Sequence, residues 1–183
     1  MAAGGDNDPV SSAARSPDDT RFHVCVVCTG NICRSPIGEQ VLRAAIIDAG
    51  LDDRVQVSSA GTDGWHVGGG AHHGSVRVLR TAGYPEHDHV ARMITRSELA
   101  DVDLVLAADR GHLRDLRAMT KDHDKVALLR SFDPDAEHDE VPDPYYGPDS
   151  GFDDRGAQHL LADRRAADVS GADHTDVETG VVG

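Results

Sequence analysis

The chain is short of aromatic rings: Phe, Trp and Tyr make up 4% of its 183 residues. Its core must therefore rest on Val, Leu, Ile and Ala. Positive charge is scarce too. The formal net charge is −14 with histidine neutral, which argues against nonspecific binding to nucleic acid or to an anionic membrane. An anionic substrate would have to be held by local positive potential. No apolar run reaches the roughly 18 residues of a membrane span. The N-terminus shows no basic, then apolar, leader pattern. Only Cys25, Cys28 and Cys33 supply thiols. An odd count gathered in one turn region is not a disulfide framework and suits a reducing cytoplasm. Residues 1–20 hold almost no large apolar side chain and read as a disordered arm. The folded domain is expected over 21–167, with 168–183 as a disordered tail.

What is present is concentrated in one stretch, from Val24 to Pro36. Val24 to Val27 is a short β-branched run that suits a central parallel strand. Gly30 and Asn31 are residue types that readily take positive φ, so the chain can curl there. Pro36 fits the first turn of a helix. The N–H groups of residues 29–34 can then face one concavity above a helix N-terminus, which makes an anion site. Cys28 opens this loop and Arg34 closes it, with five residues between. Positive surroundings favour a thiolate. A guanidinium fork suits two phosphate oxygens. A cysteine nucleophile in an oxyanion cradle beside an arginine describes phosphoryl transfer through a cysteinyl-phosphate.

The string Cys28-Thr29-Gly30-Asn31-Ile32-Cys33-Arg34-Ser35-Pro36 resembles the phosphate-binding loop of the low-molecular-weight protein tyrosine phosphatases. Over about residues 22–153 the resemblance implies hydrolysis of phosphotyrosine in proteins. It also implies that Ser35 helps the cysteine leave the phosphoenzyme and that Ser59 braces the loop asparagine. His89, in Asp88-His89-Val90-Ala91-Arg92, would hydrogen-bond Asn31. Tyr145 and Tyr146 would line the slot for the substrate ring, and Trp65, set among glycines, would flank the pocket mouth. The turn Ala71–Gly74 departs from the family: His72-His73 stand where an aspartate and an arginine are usual. Two adjacent histidines do not converge on one ion without further ligands. No metal or other cofactor is expected in the reaction.

Along the chain, residues 35–49 should form the first helix, with Ile37, Val41, Leu42, Ala45 and Ile46 on one stripe and Gly50 as its stop. Ser35 could cap it. The second strand is Val55–Ser58, and a second helix spans Ser75–Ala82 and ends at Gly83. Thr95 and Glu98 have capping-box spacing. The third strand, Leu104–Ala108, places Asp109 at the C-terminal edge where ligands bind in open α/β sheets. There Asp109 either caps the helix over 110–119 or pairs with an arginine near the phosphate loop, the cap being the simpler role. The fourth strand is Val126–Leu129. Residues 130–150 form a long acidic loop, and loops of that length are usually functional or disordered. Asp143 sits there between Pro142 and Pro144. A carboxyl beside the anion site can protonate the leaving phenolate and then deprotonate water, worth roughly 10²- to 10⁴-fold, and the resemblance implies that Asp143 is this acid. A closing helix after Gly151-Phe152 should be short, because only Ala157, Leu160 and Leu161 share a stripe.

The expected fold is α/β: four parallel strands in order 2-1-3-4, helices on both faces and right-handed crossovers. The expected partners are phosphotyrosine-containing proteins, with the chain a monomer or weak homodimer. Three other readings share the cradle. Arsenate reductases of this fold need further cysteines, and none follows Cys33. Protein-arginine phosphatases usually carry threonine where this loop has Ile32. A silent phosphopeptide-binding module would not need Cys28, Arg34 and Asp143 together. Cys33 is either a small buried side chain or a redox partner that shields Cys28 as a disulfide.

Overall fold

The computed structural model describes residues 20–145 and Phe152. The expected arm (but for Thr20), the tail, the closing helix and Tyr146 lie outside the described residues. The element order is β1 (Phe22–Cys28), α1 (Arg34–Asp48), β2 (Val55–Gly61), α2 (His73–Thr81), α3 (Arg96–Asp101), β3 (Leu104–Ala107), α4 (Arg110–Met119) and β4 (Val126–Leu128). The four strands form one parallel sheet in the order β2-β1-β3-β4.

β1 is buried from His23 to Cys28 because it pairs on both edges and is covered on both faces. Its side chains alternate between two clusters. Cys25 and Val27 pack with Leu99 of α3 and Leu116 of α4, whereas Val24 and Val26 pack with Leu42 of α1 and Leu106 of β3. Val26 and Val27 are fully buried, which stabilises the fold by about 1.5–3 kcal/mol for each side chain. The strand therefore ends rigidly, and whatever follows Cys28 starts from a fixed point.

Several local expectations need correction. Helix α1 is capped by Cys33 without a side-chain hydrogen bond, so Ser35 is not a cap. Its first turns are buried all round, from Arg34 to Gln40, while Ala45 of the expected stripe is exposed. The N-terminal half of α1 is wrapped by the phosphate loop and β2, so a single apolar stripe does not describe it. Helix α2 begins two residues early because the His72 side chain accepts from Gly74 N–H. The capping box at Thr95 and Glu98 is complete. Gly50 and Gly83 both take positive φ at helix ends, as stop signals should.

Candidate active site

The loop after β1 curls at Asn31, whose φ is +54°; Gly30, also expected there, keeps a negative φ. Gly30 is needed for space, since a Cβ would come within 2.7 Å of the His66 ring. The loop is held from outside by its carbonyls. Thr62 N–H donates to Cys28 O and Asp63 N–H to Thr29 O, both at 2.9 Å. His89 Nε2 donates to Asn31 O at 2.6 Å. His72 N–H and the Ser75 hydroxyl donate to Ile32 O. A planar trans peptide points its N–H opposite its C=O. With those four carbonyls turned outward, the N–H groups of Thr29, Gly30, Ile32 and Cys33 turn inward, toward the space above Cys28. Gly61 permits this approach, because a Cβ there would lie 2.5 Å from Thr29 O.

Asn31 is the centre of the bracing. Its side chain is fully buried. Nδ2 donates to the hydroxyls of Ser35 at 3.0 Å and Ser59 at 2.9 Å, and Oδ1 accepts from Arg92 N–H. The Ser59 hydroxyl in turn donates to Glu39 Oε2 at 2.6 Å. The Ser35 hydroxyl also lies 2.9 Å from Cys28 Sγ. Ser35, Ser59 and His89 thus stand around the loop as the resemblance implied. Burial pushes His89 below the ordinary histidine range, with its bond to Asn31 and the Glu39 charge opposing. His72, in the turn that departs from the family, still supports the loop through its backbone N–H.

Arg34 is buried, and its fork spans two acids. Nη1 meets Asp109 Oδ2 and Nη2 meets Asp143 Oδ2, each at 2.8 Å. Asp109 fills both roles weighed for it, since its Oδ1 also caps α4 through His112 N–H. Burial alone would raise the Asp109 carboxyl, but its bonds to His112 and Arg34 outweigh burial and hold it well below the usual carboxylate range. Asp143 arrives on a loop pinned at Val141, whose N–H donates to Ala108 O at the end of β3. Its Oδ1 accepts from Tyr145 N–H at 3.1 Å. Burial pushes the Cys33 thiol up to about 12, with Cys28 and Asp143 adding to the rise and Arg34 and Ser75 opposing it. All three cysteines are free.

Above Cys28 opens a pocket of about 250 Å³ lined by Cys28–Gly30, Ile32–Arg34, Trp65, His66, Asp143 and Tyr145. Trp65 stands at its mouth, 83% exposed. The residue types that meet here are a thiol, a ring of inward N–H groups, a buried guanidinium and a carboxylate. They suit capture and transfer of a phosphoryl group.

The sequence profile of the family described as "Low molecular weight phosphotyrosine protein phosphatase" matches residues 23–158. The chain belongs to this family. A "Low molecular weight protein-tyrosine-phosphatase" of Streptomyces coelicolor is 50% identical over 138 residues, covering 73% of this chain and 84% of the relative. The "Low molecular weight protein-tyrosine phosphatase A" of Mycobacterium tuberculosis is 47% identical over 135 residues, covering 73% and 82%. A solved structure of YfkJ from Bacillus subtilis superposes with a TM-score of 0.73 at 30% identity, covering 86% of this chain and 99% of that one. The α/β fold, the 2-1-3-4 strand order and the phosphatase class expected from sequence stand.

Sequence reasoning missed four supports. His112 reaches Thr29 Oγ1 with Nε2 at 2.8 Å while its Nδ1 lies 2.8 Å from Asp109 Oδ1. Glu39, Ser75 and Arg92 hold Ser59, the Ile32 carbonyl and Asn31. The Asp109-x-x-His112 spacing at a helix start was a readable signal for the first. For Glu39 none existed, because its partner is Ser59 on another element.

Proposed function

We propose that the chain hydrolyses phosphotyrosine in proteins through a cysteinyl-phosphate on Cys28. Cys28 Sγ bonds to phosphorus as the phosphorus–oxygen bond to the tyrosyl group breaks. Cys28 attacks as the thiolate, its proton having gone to solvent. Arg34 and the inward N–H groups of Thr29, Gly30, Ile32 and Cys33 carry the equatorial oxygens. Asp143, which takes a proton from solvent once phosphate displaces it from Arg34, gives that proton to the leaving phenolate. Ser35 donates to the departing thiolate in the second half, when Asp143 takes a proton from the attacking water and phosphate leaves. Trp65 and Tyr145 flank the phenol ring, with Tyr146 beside them. No metal enters these steps.

The observation that carries this reading is the Arg34 fork. It lies between Asp109 and Asp143 at the wall of the pocket whose floor is Cys28. A bound phosphoryl group would compete with Asp143 for Nη2, so substrate binding itself would release the acid toward the leaving oxygen. Asp109 stays bonded and keeps the guanidinium in place. Among the described residues no helix is long and apolar enough to cross a membrane. That accords with action on dissolved phosphoproteins in a reducing cytoplasm. A monomer or weak homodimer, with no nucleic-acid partner, agrees with the net charge of −14.

Two substitutions test the assignment with p-nitrophenyl phosphate. Cys28→Ser is expected to abolish turnover, and surviving turnover would overturn the mechanism. Asp143→Ala is expected to lower kcat by about 10²- to 10⁴-fold while inorganic phosphate still inhibits competitively. Turnover of a phosphotyrosine peptide in preference to a phosphoarginine peptide fixes the substrate class; the reverse preference would reassign it.

A further inference from the structure

Behind the phosphate loop, on the side away from Cys28, Glu39, His87 and His89 bring one ligand atom each to within 4.8 Å of one another. Glu39 comes from α1, and the histidines from the segment between α2 and α3. His89 has its tautomer set by its partner. The Asn31 carbonyl can only accept, so Nε2 carries a proton and Nδ1 is the ring atom left to meet a ligand. A metal-binding histidine is characteristically oriented in this way, by an N–H donated to a backbone carbonyl. The two rings lie 6.4 Å apart at their centroids. His87 is exposed, whereas Glu39 is buried. Each Glu39 oxygen already accepts one hydrogen bond, from Arg43 or from Ser59, and a carboxylate oxygen retains a second lone pair.

A second observation points to the same place. Gln40 is buried, and its Nε2 has no hydrogen-bond partner among the described residues. It lines the groove that His87 and His89 also line. A buried donor without a partner costs about 1–3 kcal/mol, and an oxygen held in that groove would satisfy it. Two imidazoles and a carboxylate form a three-ligand zinc set whose fourth position is taken by water. Asp88 beside His87 favours a cation; Glu86 is already paired with Arg80 at 2.7 Å, and Arg43 and Arg80 oppose the ion.

We propose that Glu39, His87 and His89 form a binding site for Zn²⁺, with Gln40 Nε2 donating to its bound water. The site is separate from the catalytic pocket and requires nothing of the phosphatase reading. The ion ties α1 to the segment that holds Asn31 O, and so stiffens the loop from behind.

The test uses the Cys28→Ser protein, which removes the catalytic thiolate as a competing zinc ligand. Titration calorimetry with Zn²⁺ alone is expected to give one site, and zinc is expected to raise Tm. Co²⁺ is expected to give visible d–d bands without thiolate charge transfer. Adding His87→Ala, an exposed change, is expected to weaken Zn²⁺ at least tenfold and to abolish the rise in Tm. Absence of one-to-one binding, a thiolate band, or equal affinity in the Cys28→Ser/His87→Ala protein would overturn the site. Phosphatase activity is not part of the readout, so the catalytic reading can fail without affecting this one.

Discussion

The floor of the pocket and its rim are built on opposite terms. On the floor, Asn31 and Ser35 are fully buried, and Asn31 is fixed by Ser35, Ser59, Arg92 and His89 from three directions. At the rim, Trp65 is 83% exposed and Tyr145 44% exposed, and the backbone N–H groups of both bond aspartates two residues away. Phosphate geometry does not vary, so the floor can be over-determined in a preorganised shape. Phosphoprotein surfaces do vary, and an open rim accommodates them. Loss of a floor residue should therefore be felt in kcat, and loss of a rim residue in KM.

The sharpest way to break the floor is Arg34→Lys. A point charge replaces a fork that bridges two acids, and kcat for p-nitrophenyl phosphate is expected to fall by about 10³-fold. Asn31→Ala comes next. It removes the donor shared by the hydroxyls of Ser35 and Ser59, takes the acceptor from Arg92 N–H, and puts alanine at a positive φ. It is expected to cost about 1–3 kcal/mol of stability, seen in urea unfolding, and to lower kcat about tenfold. A kcat unchanged by Asn31→Ala would mean that the loop holds its shape without its centre.

Asp109 tests the electrostatics of the same floor. Its folded carboxyl lies below the ordinary range, so the unfolded chain takes up this proton first as pH falls. Asp109 therefore contributes stability that is fully present above its ordinary value of about 3.8 and is lost as pH falls toward its folded value. Asp109→Asn is expected to lower Tm at neutral pH and to flatten its fall in acid, read by thermal melts from pH 7 to 3. An equally steep fall in the variant would place the acid sensitivity elsewhere. The smallest effect belongs to the rim. Trp65→Ala is expected to move stability by no more than about 0.5 kcal/mol. KM for a phosphotyrosine peptide should rise about threefold, the range of one aromatic contact, at constant kcat.

Much of the site was legible because it is local. Cys28 through Ser35 are consecutive, and a strand, a turn and a helix start set their relation within a few ångströms. Asp143 was legible for a different reason: the family resemblance singled it out from the other acids of its long loop. Asp109 was half legible. Its capping role follows from position, but its bond to Arg34, 75 residues distant in sequence, follows only from β3 lying beside β1. Glu39, Ser75 and Arg92 were missed for that reason too, whereas His112 had left a signal in its spacing from Asp109. Each acts on a residue of another element, and nothing along the chain records which elements touch. Of the two roles read for Ser35, the cap failed and the approach to Cys28 held, because burial gives its hydroxyl to Cys28 and Asn31.

Sequence alone carried the Cys28–Arg34 loop and the parallel α/β layout, because short β-branched runs alternating with helical stretches leave few other ways to bury a Val- and Leu-based core. Tertiary structure decided how those groups are held. Parallel pairing of β1 with β2 and β3 set the strand ends side by side, and that placed Ser59, Asp109 and the loop carrying Asp143 around one thiol. Hydrogen bonds act over about 3 Å. Only the packed sheet brings residues from such distant parts of the chain that close.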